Sequence, residues 1–184
     1  MNLLAVILLT IKTKVIIMET TVFLNGNPMH LVGNLPKVGE DAPYFVLVDK
    51  DLKDFNLHDF KGKRVVLNIF PSVDTPVCAA SVRRFNQDAS KLDNTVVVCV
   101  SEDLPFAQAR FCAANDIENV YTGSAFRSDF GKDYGIEIAD GPMRGLLARG
   151  VVVIDENGKV IGTNLCEQIT TEPDYEFVEN LLKK

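Results

Sequence analysis

Four cysteines, Cys78, Cys99, Cys112 and Cys166, carry most of the chemistry open to this 184-residue chain. Cys78 has the most reactive setting. It closes the run Pro71-Ser-Val-Asp-Thr75-Pro76-Val-Cys78, just after the apolar stretch Val65–Phe70. Thr75 is a favoured N-cap residue, and Pro76 suits the first helical position, where its missing N–H costs nothing. Cys78 then becomes the third residue of a helix, beside unsatisfied backbone N–H groups and the positive end of the helix dipole. That position stabilises a thiolate, and the thiolate is the nucleophilic form of cysteine. Cys99 sits in the run Val96-Val-Val-Cys99-Val100 and reads as a small hydrophobe of a buried strand. Cys166 follows the last strand and reads as a surface thiol open to side reactions.

The rest of the composition narrows the field. Nineteen Lys and Arg stand against twenty-five Asp and Glu, a net charge of -6 with no basic block, so nucleic-acid binding is not expected. Only His30 and His58 are available, and no H-E-x-x-H or C-x-x-C pair occurs, so no metal centre is expected. Neither a Walker loop nor a G-x-G-x-x-G nor a G-x-S-x-G is present, and no cofactor is implied. Four cysteines are too few for a disulfide scaffold and suit a cytoplasmic protein whose disulfides are transient and catalytic.

The elements that must hold Cys78 follow a β/α rhythm. Thr21–Leu24 and Asn27–Val32 flank Asn25-Gly26, a pair that suits a type I′ hairpin turn. Strands are expected at Tyr44–Val48, Val65–Phe70, Thr95–Val100, Val120–Gly123, Val151–Asp155 and Val160–Asn164. Two of these, Val65–Phe70 and Thr95–Val100, are almost uniformly apolar, as central strands buried on both faces are. Helices are expected at Pro76–Leu92, Pro105–Asn115, Phe126–Tyr134 and Pro173–Leu182. In the first of them Val82, Phe85, Ala89 and Leu92 form a core stripe at helical spacing. Glu156-Asn-Gly158 makes a tight turn between the last two strands, which run antiparallel. The fold class is α/β: a thioredoxin-like fold, with a central mixed sheet flanked by helices and an N-terminal β-hairpin.

Residues 1–17 read as an N-terminal extension, either not native or disordered, ahead of a single domain spanning 18–184. Its apolar run Leu3–Ile11 is short of the ~20 residues a membrane span needs. It also lacks the leading positive charge and small-residue cleavage site of a signal peptide. No membrane association is expected.

Pro71-x-x-x-Thr75-x-x-Cys78 resembles the active-site signature of the peroxiredoxins. The longer run Asn68-Ile-Phe-Pro71-Ser-Val-Asp-Thr75-Pro-Val-Cys78-Ala-Ala-Ser-Val-Arg83 is similar to the bacterial thiol peroxidase branch, the atypical two-cysteine type. The same branch is matched by Ser101-Glu-Asp-Leu-Pro-Phe-Ala-Gln-Ala-Arg-Phe-Cys112, Ala139-Asp-Gly-Pro142, Ala148-Arg149-Gly-Val-Val-Val-Ile-Asp155 and Ile169-Thr-Thr-Glu-Pro-Asp-Tyr175. The likeness runs from about Thr21 to the C-terminus.

The resemblance implies a peroxidase that reduces hydrogen peroxide and alkyl hydroperoxides. Cys78 would be the peroxidatic residue and pass through a sulfenic acid. Thr75 would orient thiolate and peroxide, Pro71 would shield the site from water, and Arg149 would hold the developing negative charge. Cys112 would be the resolving cysteine, forming an intramolecular Cys78–Cys112 disulfide that thioredoxin reduces. The two cysteines are expected to start too far apart to bond, because a disulfide needs Cα atoms within about 7 Å. The branch also implies a homodimer. Two other readings remain: a thioredoxin-like disulfide oxidoreductase, since Cys78-Ala-Ala-Ser81 is a C-x-x-C with its second cysteine replaced, and a non-catalytic redox sensor.

Overall fold

The computed structural model describes residues 20–183, so the extension proposed for residues 1–17 lies outside the described residues. The chain opens with β1 (Thr21–Leu24) and β2 (Asn27–His30), paired antiparallel with Thr21 opposite His30. Their turn places Asn25 at φ 51° and Gly26 at φ 84°, the doubly left-handed geometry that Asn-Gly tolerates at low cost.

The remaining strands form one sheet: β3 (Val46–Val48), β4 (Asp54–Asn56), β5 (Arg64–Ile69), β6 (Thr95–Ser101), β7 (Tyr121–Ser124), β8 (Gly150–Ile154) and β9 (Val160–Leu165). Across it they run β4-β3-β7-β6-β5-β8-β9. The central trio β5, β6 and β7 is parallel, while β8 joins β5 antiparallel and β9 joins β8 antiparallel. The short strand β4 was not foreseen, because Asp54-Phe55-Asn56 carries little β signal. The edge position tolerates it, and Asn56 then caps a 3-10 turn at Leu57–Phe60 through a reciprocal bond pair with Asp59.

Alternation along β5 shows why its sequence is mostly apolar on both faces. Val65, Leu67 and Ile69 enter one cluster with Val98, Val100, Val152 and Ile154, while Val66 enters the other with Val97, Cys99, Val151 and Val153. Each large side chain so buried contributes about 1.5–3 kcal/mol.

The helices are α1 (Pro76–Ala89), α2 (Pro105–Ala114), α3 (Phe130–Asp133) and α4 (Tyr175–Leu182). Their cover is unequal. The second cluster takes Val82 and Phe85 of α1, Val178 and Leu182 of α4, and the partly buried Phe111 and Cys112 of α2. The opposite face is closed by Val22 and Met29 of the hairpin, Phe60, Phe130, Tyr134, Ile136 and Ile138. There the helix expected over Phe126–Tyr134 shrinks to one turn, because residues 126–129 form a turn in which the Ser128 N–H donates to the Ala125 carbonyl at 2.8 Å, and the chain reverses at Gly135, which sits at φ 64°.

Gly135 is required for a second reason. A Cβ there would lie 2.2 Å from the Asn34 carbonyl oxygen and 2.4 Å from its nitrogen, both backbone atoms that cannot step aside. Gly145 has a similar φ of 87° but open space around it. Gly135→Ala should therefore cost about 2 kcal/mol or more, and Gly145→Ala only about the 1 kcal/mol of a left-handed alanine. Urea midpoints for the two variants check the difference.

Candidate active site around Cys78

Buried β5 ends at Ile69, and Phe70 donates its N–H to the Val100 carbonyl at 3.1 Å, so the chain leaves the sheet at buried Pro71. The loop then turns on Ser72. The Ser72 carbonyl accepts from the Thr75 N–H and from the Thr75 hydroxyl, both at 3.1 Å, and the Ser72 hydroxyl accepts from the Asp74 N–H at 3.1 Å. Thr75 holds the N-cap position in an extended conformation (φ -104°, ψ 143°), and Pro76 follows as the first helical residue. The Thr75 hydroxyl accepts no bond from the helix N–H groups, and its own proton goes back to the Ser72 carbonyl. This sequence places Cys78 in the first turn of α1, fully buried.

Arg149 comes to it from the other side. The side chain is 1% exposed, and its Nη2 donates to the Cys78 sulfur at 3.1 Å. Its Nε donates to the Ile169 carbonyl at 3.0 Å, and Nη1 is buried with no partner. Among the described residues no carboxylate is within ion-pair distance of this guanidinium. A buried cation is strongly disfavoured unless an opposite charge meets it. The sulfur of Cys78 is the group placed to supply that charge.

Arg149 is itself held from afar. Ile169 donates its N–H to Phe23 at 3.0 Å and Phe23 donates to Glu167 at 2.7 Å, so β1 of the hairpin clamps the segment whose carbonyl orients the guanidinium. Main-chain Ile169 is a contributor that sequence reasoning missed; only its place in the matched block Ile169–Tyr175 hinted at it.

The other thiols are held as thiols. Burial pushes Cys99 up to about 12, against the opposing hydrogen bond from Asn68 and with a smaller push from Cys112. Burial also raises Cys112, less strongly, with Thr122 and Lys50 opposing. Cys166 is a correction to the sequence reading: it is 8% exposed, and no surface thiol. The segment after β9 folds back over it, its N–H donates to the Arg149 carbonyl at 2.9 Å, and burial raises its pKa while the charge of Arg149 opposes this.

Cys112 lies near the C-terminal end of α2, over the Cys99–Thr122 pair of β6 and β7. All four cysteines are free, and Cys78 and Cys112 touch the same cluster under α1 and α2. Beneath α1, the Ser81 hydroxyl donates to the Cys78 carbonyl at 2.9 Å, and the Asn68 amide reaches both Ser81 (3.3 Å) and the Cys99 sulfur (3.5 Å). Asp103 gathers a further set of bonds at the Ser72 loop. Among the described residues no group of His, Cys, Asp or Glu could hold a metal ion, and no helix is long and apolar enough to cross a membrane.

Two expectations follow. Arg149→Met removes the cation facing Cys78, so alkylation of Cys78 by iodoacetamide at pH 7 should slow about tenfold or more, as mass spectrometry of quenched samples would record. Glu102, half-buried, is pushed up to about 7 by burial, then by Glu137 and Asp103. A raised acid binds its proton more tightly in the folded state, so stability should fall as pH rises from about 4.5 to 7. Glu102→Gln should flatten that fall, leaving the variant relatively more stable at pH 8 and little changed at pH 4, in urea titrations at each pH.

The geometry has counterparts among known proteins. The Redoxin family pattern matches residues 37–178. A thiol peroxidase of Corynebacterium glutamicum is 56% identical over 151 residues, 82% of this chain and 92% of that one. A thiol peroxidase of Mycobacterium bovis is 57% identical over 153 residues, 83% of this chain and 92% of its own. The crystal structure of a peroxiredoxin-like protein from Aquifex aeolicus superposes with a TM-score of 0.85 at 44% identity, covering 89% of this chain and 95% of the other. With a single thiol facing a buried arginine at the head of α1, and with relatives this close over most of its length, the chain belongs to the thiol peroxidases of the redoxin family.

Proposed function

We propose that this chain reduces hydrogen peroxide and alkyl hydroperoxides with Cys78 as nucleophile and Cys112 as resolving partner. The observation that carries this reading is the 3.1 Å contact between Arg149 Nη2 and the buried Cys78 sulfur, with Nη1 left free. The thiolate attacks the terminal oxygen, the O–O bond breaks, and the departing alkoxide or hydroxide takes up a proton to leave as alcohol or water. Cys78 keeps the transferred oxygen as a sulfenic acid. The unpartnered Nη1 donor can meet the negative charge that builds on the peroxide as that bond breaks. The Thr75 hydroxyl, now bonded to Ser72, is near enough in sequence and on the right turn to swing onto the peroxide, while Pro71 keeps water from the sulfur.

Resolution follows by condensation: the Cys112 sulfur attacks the sulfenic sulfur, an S–S bond forms, and water leaves. The first turn of α1 and the last of α2 unwind locally to let the two meet. Thioredoxin then reduces the disulfide. We infer that residues 18–184 act as one catalytic domain, as a homodimer, in the cytoplasm. Exposed Leu104 and Phe106 at the start of α2 and Phe126 after β7 supply apolar surface of the sort a dimer buries. A disulfide oxidoreductase is less well served, because the position of the second cysteine is taken by Ser81, whose hydroxyl is committed to the Cys78 carbonyl.

A coupled assay following NADPH loss with thioredoxin, thioredoxin reductase and cumene hydroperoxide tests the whole cycle. Cys78→Ser should abolish turnover, and surviving activity would reject the assignment. Cys112→Ser should still consume one equivalent of peroxide per chain while thioredoxin-linked turnover collapses and dimedone traps the sulfenic acid. Wild type given one equivalent should lose two thiols, run as a monomer on non-reducing gels, and yield a Cys78–Cys112 peptide. A disulfide-linked dimer, or a map joining Cys78 to Cys99 or Cys166, would assign resolution elsewhere.

A further inference from the structure

The carboxylate of Asp103 is the fixed post to which the Ser72–Thr75 loop is tied. Its Oδ1 accepts from the Ser72 hydroxyl at 2.7 Å, and its Oδ2 accepts from the Val73 N–H and the Ser101 hydroxyl, both at 2.8 Å. The post is itself anchored to the sheet. The Asp103 carbonyl accepts from the Ser124 hydroxyl of β7 at 2.5 Å. Ser101 is held by the Gln108 amide at 3.0 Å, and the same amide donates to the Gly123 carbonyl at 3.2 Å. Gln108 and Ser101 are both buried.

Apart from this carboxylate, the loop is held from outside by the burial of Val73, 2% exposed in the cluster beneath α1. The bonds among Ser72, Asp74 and Thr75 are internal to it. The other side-chain tether, Arg110 to Asp74 at 3.6 Å, is exposed on both sides and contributes little in water. Charge-assisted bonds to a carboxylate are about twice as strong as neutral ones, and here two of them set the position of Ser72 and Val73. The Ser72 carbonyl in turn accepts both hydrogen bonds that Thr75 donates.

We propose that Asp103 is a positioning residue for peroxide attack: it holds the Ser72 loop so that the Thr75 hydroxyl is aligned on a peroxide docked at Cys78 and Arg149. This rests on the peroxidase reading. The role concerns alignment and not the creation of the nucleophile, which Arg149 and the helix supply. Asp103 should therefore matter for a reaction that needs a docked, oriented peroxide and matter little for one that needs only the sulfur.

The experiment compares two single-turnover rates for Cys78: attack on cumene hydroperoxide by stopped flow, and alkylation by iodoacetamide. In Asp103→Ala the peroxide rate should fall about tenfold or more while alkylation stays within about threefold of wild type, since small misplacements of reacting groups carry losses of this order. Asp103→Asn should recover part of the loss, because its one carbonyl oxygen can still accept from Val73 and Ser101. If Asp103→Ala does not fold, Ser72→Ala removes one tether and should show a smaller drop, about threefold, again in the peroxide rate alone. Two rates that fall together, or a peroxide rate that does not change in any variant, would overturn the positioning role. A wild-type chain inert towards peroxide would instead overturn the peroxidase reading on which it stands.

Discussion

A guanidinium 1% exposed and 3.1 Å from a fully buried sulfur is the contact around which the rest of the molecule is arranged. Burying Arg149 without a carboxylate partner would cost several kcal/mol. The fold keeps it there because three different parts of the chain converge on it. Residue 149 immediately precedes β8, so the central sheet sets its main chain. The Ile169 carbonyl, clamped through Phe23 by the N-terminal hairpin, sets the Nε end of the plane. The head of α1 brings the sulfur to Nη2. The hairpin, which looks like a peripheral addition to the sheet, thus contributes to the electrostatics of a site far from it in sequence.

Selectivity among four thiols follows from the same balance of burial and charge. Cys99 and Cys166 are as buried as many core residues, and burial pushes both up. Cys78 is more buried than Cys166, yet it alone receives a direct bond from a cation. Burial by itself makes a thiol inert; Cys78 is the one that burial sets against an arginine without a carboxylate partner. Cys112 is half-buried near the end of its helix.

Unequal helix cover contributes to that division of labour. α1 and α2 lie on the same face and share one cluster, so Cys78 and Cys112 sit on the same side of the sheet. The opposite face is closed by the hairpin, a 3-10 turn and one turn of helix, and its tight backbone passage at Gly135 and Asn34 leaves no room for the chain to shift.

Much of this was legible in the residues themselves, because the determinants are local. Thr75-Pro76 starts a helix by its own chemistry, which puts Cys78 in the first turn whatever surrounds it. Asn25-Gly26 forces its turn, and the nearly uniform apolarity of Val65–Phe70 and Thr95–Val100 marks central strands. The expectations for Cys78, Cys112 and Arg149 came from blocks of sequence whose likeness to a family spans nearly the whole chain. What only the tertiary structure decided depends on segments distant in sequence meeting in space. The burial of Cys166 follows from residues after β9 folding back, and no local pattern encodes that return. The tie of the Ser72 hydroxyl to Asp103, 31 residues away, exists because the loop after β5 meets the chain just beyond β6 in space. The clamp of Arg149 by Ile169 and Phe23 uses main-chain groups, which every residue carries alike and which therefore leave no mark in the sequence.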